Sequence, residues 1–355
     1  MLRLPKFRYL QPETVSEAVR MIADNGPEAM FVAGGTDLYP NMKRRQQTPK
    51  IVIGLAQLKQ LRGIKGRPKS GMTLGAGATL TEVASDKNLR KHYKAVATAA
   101  ELISTPHLRN MSTIGGNLLL DTRCNYYDQS YEWRQAIHFC MKKDGDICWV
   151  APSSPRCWAV QSSDSAPVMV AIGAKVKLVS KEGERVITAE ELYVDDGMAH
   201  LSRRPDELLT EVQLPPINGW RATYWKLRRR GSFDFPILGV ATCLRLAADG
   251  TVEDARIIMG GVGSHPIEAI AAQKIVIGKK LTEELVQEAA GAAYPIAKPL
   301  DNTDLAMHWR KDMSRNYVAG TLRELAGLPP SFVPPTDDHS YGSPSLPILS
   351  NGRFS

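Results

Sequence analysis

Four of the five cysteines, Cys124, Cys140, Cys148 and Cys157, fall within 34 residues, spaced C-x15-C-x7-C-x8-C. Four thiolates on one segment can hold zinc, ligate an iron–sulfur cluster, pair as disulfides or stay as buried thiols. Structural zinc sites bring ligands in tight C-x2–4-C pairs, which this segment lacks, whereas cluster ligands can come from a wrapped loop. The spacing favours a cluster, with zinc and unrelated buried thiols left open. The surrounding stretch, 122–160, holds seven of the 24 aromatic residues: Tyr126, Tyr127, Tyr131, Trp133, Phe139, Trp149 and Trp158. Such a shell excludes water and tunes a potential. The stretch has no clear periodicity, which marks a functional or disordered loop, and its aromatics argue against disorder. His138 reads as an ordinary loop histidine. Cys243, in an apolar strand-like run, reads as a small buried hydrophobe.

Two glycine turns are the second chemical signal. Gly34-Gly35-Thr36-Asp37 follows a strand-like run and opens a helix-like one, and Gly115-Gly116-Asn117 lies some eighty residues later. Glycine permits positive φ and close backbone approach, so successive N–H groups can converge on an anion. Each turn alone is an ordinary tight turn; the two together suggest a two-loop cradle for a diphosphate. Gly75-Ala76-Gly77-Ala78-Thr79-Leu80 imitates the start of a dinucleotide fingerprint. Leu80 stands where the third glycine belongs, so a nicotinamide site is not expected. Nothing assembles a hydrolytic or acid–base site: the seven histidines are scattered, and no H-E-x-x-H, G-x-S-x-G or Walker lysine loop occurs. Asp195-Asp196 reads as a polar turn.

The elements that must position these residues follow from pattern. Thr14 and Glu17 form a capping box before Val15, Ala18, Val19 and Ile22, which recur at helical spacing until Gly26 stops the helix. Ala29–Ala33 and Lys50–Gly54 read as strands, giving a β-α-β start. A strand near Met72–Leu74 restarts the pattern, and helical segments run to Ile103. β character returns at Lys175–Leu178 and Leu208–Leu214. Pro215-Pro216 marks a boundary. Beyond it, strands at 222–228, 237–247 and 252–259 precede helices near 266–274, 281–294 and 304–326, which predicts a separate α+β domain. Residues 328–355 hold six of the 23 prolines and form a tail, extended or partner-bound.

The chain has 355 residues, long enough for two or three domains, with 43% hydrophobic and 23% charged residues. No apolar run approaches the ~20 residues of a membrane span. Met1–Phe7 lacks the apolar core of a signal peptide, so a cytoplasmic protein is expected. The net charge is +8, but the basic residues are dispersed. An acidic partner is expected rather than nucleic acid or a membrane.

Several segments together resemble one family. Val32-Ala-Gly-Gly-Thr-Asp-Leu38, Thr113-Ile-Gly-Gly-Asn-Leu118, Ser163-Asp-Ser-Ala-Pro167, Lys226 with Arg230-Gly-Ser-Phe-Asp-Phe-Pro236, and Gly260-Gly261-Val262 resemble the flavin-binding subunit of the xanthine dehydrogenase family of molybdenum hydroxylases. The likeness covers about residues 4 to 327. The cysteine spacing, with Arg123–Tyr127 and Cys148–Pro152, is similar to that of the β subunits of the 4-hydroxybenzoyl-CoA reductase branch, which add a [4Fe-4S] cluster to FAD. A cysteine-bearing insertion also occurs in some periplasmic aldehyde oxidoreductases.

The resemblance implies an α+β fold: a two-subdomain FAD-binding domain (PCMH/vanillyl-alcohol-oxidase-like) with an iron–sulfur loop insertion, then a C-terminal α+β domain. Its boundaries would be 1–57 and 58–215 for the FAD-binding subdomains, 122–160 for the insertion and 216–327 for the C-terminal domain. Phe31, Val32, Ala33, Gly34, Gly35, Thr36, Asp37 and Leu38 would wrap the FAD diphosphate from one side. Thr113, Ile114, Gly115, Gly116 and Asn117 would wrap it from the other. Asp37 and Asp164 would be polar contacts to the cofactor, Ile103 would lie beside the isoalloxazine, Lys226 would approach the flavin, and Thr79 is a further candidate. Cys124, Cys140, Cys148 and Cys157 would ligate the cluster, and no residue here would be catalytic toward substrate. Partners would be a large molybdopterin subunit and a small subunit with two [2Fe-2S] clusters, in a dimer of heterotrimers. In the reductase branch, ferredoxin would deliver electrons through the [4Fe-4S] cluster and FAD for reductive dehydroxylation to benzoyl-CoA. The alternative is a molybdenum aldehyde or purine/N-heterocycle oxidoreductase, in which electrons leave through this subunit.

Overall fold

Helix Val15–Asn25 begins where the Thr14 and Glu17 spacing predicts. In the computed structural model, which describes residues 2–330, the Thr14 hydroxyl accepts from the Glu17 N–H. The reciprocal bond of the expected box is displaced by one residue: the Glu17 carboxylate accepts from the Glu13 N–H at 2.7 Å. Gly26, at φ +53°, ends the helix. Strands Arg8–Leu10, Ile51–Gly54 and Ala29–Val32 form a parallel sheet with Ile51–Gly54 in the centre. A central parallel strand is covered on both faces, which fits the fully buried Ile-Val-Ile-Gly run.

The second sheet is antiparallel and five-stranded. Its order is Ile64–Arg67, Gly71–Gly75, Leu208–Leu214, Lys175–Ser180, Gly183–Thr188. The two outer strands have mostly exposed or half-exposed residues, so no clean apolar alternation marks them in the sequence. Helices Leu80–Ser85, Lys87–His92, Lys94–Leu102 and Ser165–Ala171 supply much of the core over this sheet. A full capping box opens Leu80–Ser85: the Thr79 hydroxyl accepts from the Glu82 N–H while Glu82 accepts from the Thr79 N–H.

After Pro215-Pro216 the chain forms an antiparallel sheet of Trp220–Leu227, Leu238–Leu246, Val252–Gly260 and the edge strand Ile267–Glu268. Helices Ile270–Val276, Glu283–Ala293 and Met307–Ala326 follow, as the pattern predicts. The helix expected from 266 starts four residues later because Ile267 and Glu268 pair with Met259 and Ile258. One face of this sheet packs under its own helices. Tyr224, Ala241, Cys243 and Ile258 instead join the core of the second sheet. Only the first three residues of the 328–355 tail lie among the described residues. No described helix is long and apolar enough to cross a membrane.

The cysteine-bearing stretch leaves the second sheet's helical layer as a pinched loop. Arg123 and Val160 exchange both backbone hydrogen bonds, at 2.8 and 2.7 Å, and close its neck. Within it, Tyr131–Ala136 forms one short helix, and His138, Phe139 and Asp144 adopt positive φ.

Candidate functional site

A cavity of about 730 Å³ opens between the parallel sheet and the helical layer of the second sheet. That volume is ordinary for a small-molecule or cofactor site. The first glycine turn leaves Ala29–Val32 and forms one wall; the second, at the start of the short helix Ile114–Leu118, forms another. The two walls touch. A Cβ on Gly34 would overlap the Met111 carbonyl, and the Thr36 hydroxyl lies 2.9 Å from the Ser112 hydroxyl. Gly35 adopts φ +72°, a conformation in which a side chain is strained.

The cradle is asymmetric in its donors. Among the described residues, the N–H groups of Ala33, Gly34, Gly35, Thr36 and Asp37 have no protein acceptor. In the second loop the Ile114 and Gly115 N–H groups bond the Ala78 and Ala76 carbonyls, and those of Gly116 and Asn117 bond Thr113. The first loop therefore offers a free donor row for an anion, whereas in residues 113–117 only the Thr113 backbone N–H has no protein acceptor among the described residues. Asn117 extends that second wall, since its side-chain carbonyl accepts from the Ser163 hydroxyl at 2.8 Å and the Ser165 N–H at 3.3 Å.

Asp164 lines the cavity but is 2% exposed. Its carboxylate accepts from the Tyr224 hydroxyl at 2.8 Å and from the Lys226 ammonium at 3.0 Å. Lys226 also donates to the carbonyls of Leu102 and Asp234, at 3.0 and 2.8 Å. Its ammonium thus stands behind the wall, tying three segments together, rather than among the lining groups. Burial raises the Asp164 carboxyl and lowers the Lys226 ammonium from their ordinary values, and their contact opposes both shifts. Ile103 lines the cavity beside Ser104, whose carbonyl accepts from the Phe233 N–H at 2.9 Å. Thr79 lines it too, with its hydroxyl engaged by Glu82.

Asp121, Phe233, Phe235 and the Pro205–Leu209 stretch, to which the sequence motifs give no role, also line the cavity. Phe233 and Phe235 fall inside the Arg230–Pro236 motif, the only signal that could have found them. The others are brought in by the fold. Glu207 anchors the Pro205–Leu209 stretch: Arg185 grips it with bonds of 2.6 and 2.9 Å and holds its carboxyl below the usual range.

The four clustered cysteines are buried free thiols facing one small second cavity, together with Tyr126, Tyr127, Lys142 and Trp149. Burial pushes the Cys124 thiol up to about 12 and that of Cys157 to about 11, so a cation is needed to keep them as thiolates. Among the described residues, no three His, Cys, Asp or Glu side chains stand close enough to hold a single metal ion. A tetrahedral zinc site, with Zn–S near 2.3 Å, needs its sulfurs within about 3.8 Å of each other. All four cysteines line the same small cavity. The Ala159 N–H points at the Cys157 sulfur at 3.4 Å.

A free row of N–H donors, a second glycine loop packed against it and a cavity of about 730 Å³ make a binding site of cofactor size. Residues 5–217 match the family described as FAD binding domain in molybdopterin dehydrogenase, and residues 222–325 match the CO dehydrogenase flavoprotein C-terminal domain. The chain belongs to the FAD-binding medium subunits of the molybdenum hydroxylase family. It is 32% identical to the aldehyde oxidoreductase FAD-binding subunit PaoB of Escherichia coli (strain K12), over 75% of this chain and 85% of that one. It is 27% identical to the carbon monoxide dehydrogenase medium chain of Hydrogenophaga pseudoflava, over 90% and 96%. The solved carbon monoxide dehydrogenase of that organism superposes with a TM-score of 0.74 at 26% identity, covering 90% of this chain and 97% of that one.

Proposed function

We propose that this chain is the electron-relay subunit of a molybdenum aldehyde or N-heterocycle oxidoreductase, holding FAD in the large cavity and a [4Fe-4S] cluster among Cys124, Cys140, Cys148 and Cys157. The observation that carries the reading is the pairing of a cofactor cavity with a second cavity framed by four buried thiols. FAD stores two electrons and releases them singly, which suits a link between a two-electron substrate reaction and one-electron carriers. Phe31–Leu38 would receive the diphosphate on their free N–H groups, while Thr113–Asn117 close the other side. Ile103 would border the flavin ring, and Thr79 would shape the wall while capping its helix. Asp164 would present its carboxylate to the cofactor, with Lys226 acting through it. A large molybdopterin subunit and a small [2Fe-2S] subunit would complete the assembly. The aldehyde direction is supported by the name of the 32%-identical relative.

A second reading keeps the same relay but reverses the flow: ferredoxin delivers electrons for dehydroxylation of 4-hydroxybenzoyl-CoA. The cysteine spacing and its aromatic surround favour it. Assays of the purified complex separate the two. Aldehyde- or heterocycle-dependent reduction of an acceptor supports the first. Loss of the phenolic hydroxyl from 4-hydroxybenzoyl-CoA, driven by reduced ferredoxin, supports the second and overturns the first. Flavin and iron are quantified on the same sample; a complex without flavin would sink both.

A further inference from the structure

The two cavities share a wall, and one carboxylate stands in it. Asp121 lines the large cavity. One of its oxygens accepts from the Lys142 ammonium at 2.8 Å and the other from the Tyr127 hydroxyl at 3.1 Å. Lys142 and Tyr127 both line the cysteine cavity. A single side chain therefore borders one cavity and holds two polar residues of the other.

The ammonium is fixed rather than free. It also donates to the Thr122 hydroxyl and the Gly197 carbonyl, each at 2.8 Å, and lies 4.9 Å from the centre of the Tyr127 ring. The side chains of Lys142 and Asp121 are only 6% and 11% exposed. Charges held in so dry a place are weakly screened by water and salt. A second link runs parallel: Arg123, next to Cys124, is ion-paired with Asp37 of the first glycine turn.

We infer that the Asp121–Lys142 pair couples the two cofactors electrostatically, Lys142 setting the potential on the cysteine side and Asp121 that on the flavin side. The inference rests on the cluster reading given above. A positive charge fixed beside a cluster favours the added electron of its reduced form. A carboxylate fixed beside a flavin disfavours added electron density there. Each also screens the other across the wall, so removing one changes both potentials in a sign set by the charge removed. A tie that is only structural has no such sign rule.

Spectroelectrochemical titration of the intact purified complex, with cluster signals followed by EPR, tests this. Lys142→Gln is expected to move the cluster midpoint negative by about a tenfold change in the one-electron equilibrium, roughly 59 mV. Asp121→Asn is expected to move both cluster and flavin midpoints positive. Lys142→Arg, which keeps the charge, holds the cluster near its original value. Asp121→Asn preserves side-chain size and carries the test if Lys142→Gln does not assemble. Iron is measured first on the unmutated complex. Without four irons beyond those of the small subunit, the cluster reading fails and takes this inference with it. Four irons, with midpoints unmoved in variants that retain flavin and cluster, overturn the inference alone.

Discussion

At Gly34 the missing side chain is what lets two loops meet, because a Cβ there would overlap the Met111 carbonyl. Backbone cannot rotate out of the way as a flexible side chain can. The entropy that Gly34→Ala removes from the unfolded chain, at most about 1 kcal/mol, does not offset this overlap. Gly34→Ala is therefore expected to weaken FAD binding at least about tenfold, about 1.4 kcal/mol, as read by fluorescence titration of deflavinated protein. Lys226 behaves differently, since its ammonium bonds Asp164 and two carbonyls out of water. Lys226→Met leaves Asp164 buried without its counter-charge and should cost about 3–5 kcal/mol in denaturant unfolding. Asp164→Leu together with Lys226→Met should cost less than the sum of the two single changes, because the uncompensated charge is gone.

The helix Met307–Ala326 lies across the third sheet through a glycine. A Cβ on Gly320 would run into the Trp225 ring, which is itself held by Tyr317 edge-on at 5.9 Å and by Glu324 at 2.6 Å. Helix propensity favours Gly320→Ala by about 1 kcal/mol, but overpacking against a fixed indole costs about 1–3 kcal/mol. Overpacking is expected to win, lowering Tm. Another element-scale link is the Arg185 grip on Glu207, which ties the outer strand Gly183–Thr188 to the cavity wall. The Glu207 carboxyl lies below its unfolded value near 4.3, so the pair contributes fully above that pH and is lost as pH falls through the lower folded value. The stability difference between wild type and Glu207→Gln should be largest near neutrality, about 1 kcal/mol for a partly exposed pair. Denaturant unfolding at several pH values should show it shrinking below about pH 4; a difference independent of pH would contradict this account.

Across the whole molecule, the cysteine loop is joined to the rest of the chain through a narrow neck, ion pairs from Arg123 and Lys142, and hydrogen bonds to Arg44, Gln46, Gly197 and Asn302, while the large cavity is built mainly by the two glycine loops and the sheets behind them. Losing the proposed cluster should leave the flavin domain folded, because the large cavity is lined by residues outside the loop apart from Asp121 at its base. Cys157→Ser is expected to lose the additional iron and keep FAD at the wild-type ratio, measured by iron and flavin analysis of the purified complex. Joint loss of both would mean that the loop is integral to the flavin cavity.

Strands and helices with a clear apolar period are legible in the amino-acid sequence alone. Ala29–Val32 and Ile51–Gly54, the helix from Val15, and the three strands and three helices after Pro216 all rest on local patterning. The two glycine turns and the four cysteines are equally legible, because the unusual residue types are themselves the signal. The outer strands Ile64–Arg67 and Gly183–Thr188 are not, since edge strands facing solvent have no apolar alternation to read.

By itself the sequence determined which residue types were available for chemistry and the order of the glycine loops and thiols. Only the tertiary structure decided that the first loop carries a row of unpaired N–H donors, that Lys226 bonds Asp164 behind the cavity wall, and that Asp121 borders one cavity while bonding residues of the other. Each of these depends on partners far apart in the chain: Gly34 with Met111, Lys226 with Leu102 and Asp164, and Asp121 with Lys142. Local propensity carries no record of such contacts. They follow from which faces are buried together when the sheets and helices pack.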